Sequence, residues 1–310
     1  MPQIFDTQVP IKVVEVPGSP HLAEYFLAQT MDGLYVPYVA RFPEGSGPFP
    51  FIFLAYGNGG VGFEWLEDRV DRFGYIMDCL LSAGYACAWG RYRAEVELGY
   101  HSGGALKVDI RQGMQLMNRA PLEFEDEISI IENVKKDPRI DSERCGHVGV
   151  SHAGEMLFKI ASQYRGVVKV GIACEPANHE FLALEPDNSV SVDPYSGLRN
   201  IEEMVMSNPQ YVRTRINKEV AKDRIAPINI PILVMGRDDD PLQGIFKVSY
   251  ELLVESKKNA QWVTYDHSLH GYIFPVKNSN GVIEIDEMQE EAIAGVISYL
   301  DRYLKVERVI

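Results

Sequence analysis

The stretch Arg144-Cys145-Gly146-His147-Val148-Gly149-Val150-Ser151-His152-Ala153-Gly154-Glu155-Met156 decides how this chain is read. Its first half has the character of a short buried strand, and its second half opens a helix carrying Met156, Leu157 and Ile160. Between them sits Gly149-Val150-Ser151-His152-Ala153-Gly154, a near match to the G-x-S-x-G elbow, a sharp strand-to-helix turn that exposes a serine hydroxyl. Only tiny neighbours fit around such a turn. The helix N-terminus under the hydroxyl aims backbone N–H groups at any anion formed there. Ala153 replaces the second glycine of the pattern, the mildest departure available, and Gly154 follows at once. The plainer alternative is a serine that merely caps a helix, and the elbow alone does not separate the two.

Working outward, residues 11–16, 24–29 and 34–41 predict strands, with Asp32-Gly33 as a tight turn between the last two. An antiparallel start to a sheet follows. Phe51-Ile52-Phe53-Leu54-Ala55 is apolar without a break, hence a strand buried on both faces, and it ends in Tyr56-Gly57-Asn58-Gly59-Gly60. Three glycines in five residues let backbone N–H groups approach a ligand closely, and the loop lacks the Gly-Lys-Ser/Thr ending of a phosphate loop. Residues 70–82 predict a helix stopped by Gly84, 85–89 a strand, and the spacing of Phe124, Ile128, Ile131 and Val134 another helix. Residues 167–174 predict a strand leading into Glu175-Pro176. Strand, helix and strand follow at 230–235, 242–256 and 261–265, and Met288, Ala292, Val296, Tyr299 and Tyr303 mark one face of a closing helix. Such alternation predicts an α/β architecture, a mainly parallel sheet with helices on both faces. Two stretches break it, at about 91–121 and 177–226, and these are expected to be insertions in a single domain spanning 1–310. The second is expected to lie as a cap over the sheet's C-terminal edge.

The net charge of −14, without a cluster of Lys and Arg, argues against nucleic acid. No signal-peptide pattern opens the chain and no apolar stretch approaches membrane-spanning length, so the expectation is a cytoplasmic protein without a membrane partner. Cys79, Cys87, Cys145 and Cys174 show no C-x-x-C spacing and predict buried free thiols, neither a disulfide frame nor a metal site.

A serine elbow needs a base and a group to orient that base. In a parallel sheet both should follow later strands, because the loops at the strands' C-terminal ends share one edge. The strand at 230–235 runs into Gly236-Arg237-Asp238-Asp239-Asp240-Pro241, and the one ending at Tyr265 into Asp266-His267-Ser268-Leu269-His270-Gly271. The order is Ser, Asp, His, each in a post-strand loop. Singly, each is an ordinary turn, cap or packing residue; together, behind a Gly-rich loop, they point to nucleophilic catalysis.

That order, with Asp137-Pro138-Arg139-Ile140-Asp141 and Arg144 running into the elbow, Gly236-x-x-Asp239 and His270-Gly271, resembles the α/β-hydrolase superfamily, in particular its dienelactone-hydrolase and prolyl-oligopeptidase-like branch. The likeness covers about residues 34–304, with gaps at the two insertions. It implies the α/β-hydrolase fold with a cap-like segment inserted after the sixth strand. It also implies Ser151 as nucleophile, His270 as base and Asp239 as orienting acid, with Asp240 and Glu175 as alternatives for the acid. The oxyanion donors it implies are the backbone N–H of His152 and groups from the Tyr56, Gly57 and Asn58 stretch, where relatives use a tyrosine hydroxyl.

The expected activity is hydrolysis of a small to medium carboxylic ester through an acyl-enzyme, with no metal or organic cofactor and with homo-oligomer formation left open. A peptidase acting on short peptides is the first alternative, and a non-catalytic binding module the second. Tyr100, Met114, Met117, Phe181, Tyr195, Met204 and Met206 are candidate pocket-lining residues. Arg91 and Arg93 are placed to meet a substrate carboxylate or to form a structural salt bridge.

Overall fold

The computed structural model describes residues 6–57, 62–90, 122–185 and 204–305. Among these, nine strands form one sheet: β1 (Lys12–Val14), β2 (Ala23–Gln29), β3 (Tyr35–Arg41), β4 (Phe49–Ala55), β5 (Ala86–Gly90), β6 (Ile140–Val150), β7 (Val170–Cys174), β8 (Ile232–Arg237) and β9 (Ala260–Tyr265). Their spatial order is β1-β2-β3-β5-β4-β6-β7-β8-β9. The pairs β1–β2, β2–β3 and β3–β5 are antiparallel and every other pair is parallel. The expected antiparallel opening and parallel body are both present.

Helices cover both faces. The described ones are α1 (Gly62–Arg72), α2 (Tyr75–Ser82), α3 (Leu122–Val134), α4 (His152–Gln163), α5 (Pro209–Arg215), α6 (Lys218–Ile225), α7 (Gln243–Glu255) and α8 (Glu287–Leu304). The unbroken apolar run of β4 supplies both layers because successive side chains alternate across the sheet. Phe51, Phe53 and Ala55 join the core shared with α3, α4 and α7. Ile52 and Leu54 join the one shared with α1, α2 and α8. Each fully buried side chain of this size contributes roughly 1.5–3 kcal/mol, which is why a run apolar on both faces belongs at the sheet's centre.

The sequence predicts one helix at 70–82, whereas the chain breaks between Arg72 and Tyr75. The break falls at Gly74, where a Cβ would lie 2.2 Å from the Val70 carbonyl oxygen, so the turn closes tighter there than a side chain allows.

The segment at 177–226 follows β7, the seventh strand in chain order rather than the sixth. Its described helices, α5 and α6, are capped by the side chains of Asn208 and Asn217. They pack into a helical layer, α5 against α7 and α6 against α4. Phe181, Met204 and Met206, expected to line a pocket, are buried in that layer. Their size and apolarity are used for packing. Tyr100, Met114, Met117, Tyr195, Arg91 and Arg93 lie outside the described residues. Among the described residues, no helix is long and apolar enough to cross a membrane.

Candidate active site

Ser151 is the single residue between the end of β6 and the start of α4. Its backbone sits at φ 60° and ψ −123°, a region that residues with a side chain rarely occupy. The strain is held in place from several sides. The Ser151 N–H donates to the Cys174 carbonyl at 2.9 Å, while its own carbonyl accepts from Gly154 at 2.9 Å and from Ala177 at 3.1 Å. A Cβ on Gly149 would lie 2.4 Å from the Ala153 oxygen, and one on Gly154 would lie 2.9 Å from Pro176. Gly154 thus lets the first turn of α4 press against the loop after β7, while Ala153 fits, fully buried, where the pattern has glycine.

The loop after β4 closes over the serine. A Cβ on Gly57 would come within 3.0 Å of Ser151 Cβ, 3.2 Å of its Oγ and 3.4 Å of the His152 nitrogen. The structure therefore brings Gly57, Ser151 and the His152 N–H into one small space. Tyr56 packs its ring among Phe73, Phe274 and the Arg69 guanidinium. Its hydroxyl lies 3.1 Å from where a Cβ on Gly271 would be. Burial first, then the Glu175 carboxylate, pushes the Tyr56 phenol up, so it keeps its proton at neutral pH and can donate it. Asn58 lies outside the described residues.

His270 is carried on the loop after β9, with 38% of its side chain exposed. Its Nδ1 lies 3.3 Å from Oε1 of Glu175, a side chain with no exposed surface. This corrects the assignment of Asp239 as the neighbouring acid. Asp239 sits exposed at φ 59° on the turn between β8 and α7, pointing its charge to water. Asp238 accepts from the Thr264 hydroxyl at 2.6 Å instead. Asp240 accepts from the Leu242 N–H at 2.6 Å and pairs with Arg237. The physical reason is topological. The β9 loop folds back across the ends of β8 and β7, so Gly271, in the left-handed region at φ 73°, donates its N–H to Glu175 Oε2.

Glu175 is itself at φ 48°, a second non-glycine outlier within the site. Burial alone would raise its pKa, but the neighbouring His270 imidazole and hydrogen bonds from Gly271 and Arg237 prevail and hold it below the usual carboxylate range. Burial would likewise lower the pKa of His270, and the Glu175 carboxylate overrides that and raises it. Nδ1 is the ring nitrogen that faces Glu175, and Nε2 is the one turned away from it. The side chains of Ser151 and His270 are not hydrogen-bonded to each other.

Glu175, Asp240 and His270 bring three potential ligand atoms within 4.8 Å of one another. Arg237 is bonded to both carboxylates, so the cluster already contains its cation. Sequence reasoning weighed Glu175 only as an alternative and did not single out Arg237. Nothing local marks that arginine apart from its position between Gly236 and three aspartates.

Behind the elbow lies a second buried ionic group. His152 Nδ1 is 3.5 Å from Glu155 Oε2, Lys159 Nζ is 3.8 Å from the same oxygen and 2.6 Å from Glu180, and Phe181 donates its N–H to Glu155 at 2.8 Å. Arg224 of α6 bonds the carbonyls of Glu180 and Phe181.

No family model and no curated protein matches the chain. Solved structures do. Porphyromonas gingivalis dipeptidyl peptidase 4 superposes with a TM-score of 0.60 at 18% identity, over 92% of this chain and 36% of that one. Acylaminoacyl peptidase from Pyrococcus horikoshii gives 0.61 at 18% identity, over 94% and 43%. A hyperthermophilic esterase from Pyrobaculum calidifontis gives 0.59 at 17% identity, over 90% and 83%. The chain spans less than half the length of the two peptidases it matches. What these neighbours share with it is the arrangement of sheet and helices: the chain has the α/β-hydrolase fold.

Proposed function

We propose that this protein is a serine hydrolase that cleaves carboxylic esters of small to medium organic molecules through an acyl-enzyme. Ser151 is the nucleophile, His270 the general base and Glu175 the acid that orients it. The observation that carries the reading is the buried Glu175 carboxylate on His270 Nδ1, at the same sheet edge as a serine held at φ 60°.

The chemistry follows from these groups. Nε2 of His270 takes the Ser151 proton as the hydroxyl attacks the ester carbonyl, and Glu175 stabilises the imidazolium that forms. The oxyanion is received by the N–H of His152 and by Gly57 and Tyr56, each such donor being worth about 3 kcal/mol. His270 then protonates the leaving alcohol, and water repeats the sequence on the acyl-enzyme. The cycle needs no cofactor. A place in the dienelactone-hydrolase and prolyl-oligopeptidase-like branch and a cytoplasmic setting belong to the same reading; the four free thiols support the latter.

A peptidase acting on short peptides is the second reading, favoured by the likeness to the dipeptidyl and acylaminoacyl peptidases. A fluorophosphonate probe tests both. Labelling of the wild type that disappears in Ser151→Ala supports a serine hydrolase, and kcat/KM on a panel of esters and peptides then separates the substrates. A folded wild type that takes no label is instead a non-catalytic binding module.

A further inference from the structure

Arg237, at the last position of β8, bonds Glu175, Asp240 and the loop that carries His270. Its Nε bonds Glu175 Oε1 at 2.8 Å, and one terminal nitrogen reaches the carbonyls of His267 at 3.4 Å and Ser268 at 3.2 Å. The other terminal nitrogen pairs with Asp240 Oδ2. Its side chain is 15% exposed and that of Asp240 4%, so both lie largely out of water. A guanidinium offers donors in a rigid planar fork, which an ammonium cannot reproduce.

We propose that Arg237 is a positioning residue that clasps the acid Glu175 to the loop carrying His270, with Asp240 as the counter-charge that keeps the clasp from overwhelming the acid. The proposal rests on the serine-hydrolase reading for its kinetic consequences but not for its geometry. A cation bonded directly to the orienting carboxylate competes with the imidazolium for the same negative charge. Asp240 returns part of that charge. The pair thus lets one arginine fix the geometry while the acid still serves the histidine.

Among the described residues, three charged groups face His270: Glu175 from the end of β7, and Arg237 and Asp240 from the end of β8. Tyr56, Cys174 and Tyr272 face Glu175, and burial pushes each of them up, so they remain neutral. His267, on the same loop, accepts the Leu269 N–H on Nδ1 and reaches Asp286 with Nε2, tying the loop's outer side to α8. Removing the Arg237 charge therefore strengthens the hold of Glu175 on protonated His270, whereas removing the Asp240 charge weakens it.

The experiment is an NMR titration of the His270 ring in the intact protein, for wild type, Arg237→Gln, Arg237→Lys and Asp240→Asn, with kcat/KM against pH measured beside it. Arg237→Gln should move the His270 midpoint up, and Asp240→Asn should move it down, each by up to about one pH unit. Arg237→Lys should keep the midpoint near wild type yet lose about tenfold in kcat, because charge is retained and the fork is not. In each variant the acid limb of kcat/KM should follow the NMR midpoint. A merely structural arginine would lower the melting temperature and leave the midpoints together. Coincident midpoints in folded variants overturn the clasp, and so does an Arg237→Lys protein with wild-type kcat. If Arg237→Gln does not fold, Asp240→Asn and Arg237→Lys still decide it. Because the titration needs no turnover, an unreactive wild type counts against the proposed hydrolase alone.

Discussion

A carboxylate that steadies an imidazolium is most effective where water cannot reach it, and Glu175 meets that condition while Asp239 does not. Glu175→Gln should accordingly lower kcat by about 10⁴ through loss of the correct tautomer and of imidazolium stabilisation. Asp239→Asn should stay within about twofold, because its φ of 59° suits asparagine and its side chain faces solvent. Steady-state kinetics on a small activated ester checks both, and the reverse outcome would return the acid to β8. The pH profile has a sign as well. Only neutral His270 accepts a proton, and Glu175 raises the histidine's pKa, so kcat/KM should rise with pH through a midpoint above the ordinary value of 6.5. A midpoint well below that value would mean that Glu175 does not act on His270. The turns that carry Ser151 and His270 were legible in the sequence because each sits in a local motif whose residues determine its own turn. The carboxylate beside His270 was not, since three neighbouring aspartates compete on one loop and a lone glutamate stands on another. What decides is which loop the β9 turn folds across.

At the scale of elements, the elbow is a junction between the first turn of α4 and the loop after β7. Gly154 permits that contact, and a Cβ there would come 2.9 Å from Pro176, the residue next to Glu175. Gly154→Ala should therefore push the acid's loop away from the serine and lower turnover by about 10² with the protein still folded. Circular dichroism beside probe labelling checks this, and unchanged labelling would show that the contact has slack. The loop after β4 makes a parallel case: Gly57→Val should slow labelling of Ser151 sharply while the melting curve barely moves, since the added atoms meet Ser151 and not the core. Most strands and helices were readable from apolar runs and spacing. The break between α1 and α2 was not, because its cause is the approach of Gly74 to the Val70 carbonyl and not any interruption of the pattern.

At the scale of the whole molecule, the alternation of strand and helix dictated the layers, and the unbroken run of β4 dictated the centre. The buried ionic group behind the elbow has no such signature, since its members come from α4, α6 and the segment between β7 and α5. Its burial gives a pH signature. Burial opposes the charge of Glu155, but Lys159 and His152 hold its pKa down, from 4.5 to about 2. A carboxyl depressed in the folded state adds stability that is complete above its unfolded value and is lost as pH falls through the folded one. The urea midpoint should thus fall as pH drops from about 4.5 toward 2, and Glu155→Gln should be less stable at neutral pH with a shallower loss on acidification. An identical slope in the variant would remove Glu155 from the account.

The strand order also bears on how the chain comes off the ribosome. After β6, each of β7, β8 and β9 lies beside the strand made just before it, so that half of the sheet can grow by successive docking of neighbours. The strand β4 is different: its neighbour β5 is made soon after it, but its other neighbour is β6, which lies far down the chain. A nascent chain stopped before residue 140 therefore holds the apolar run 51–55 with one side of its backbone unpaired, a bare edge of the kind that recruits other chains. That edge stays open through the whole interval of synthesis between β5 and β6, until β6 pairs with it.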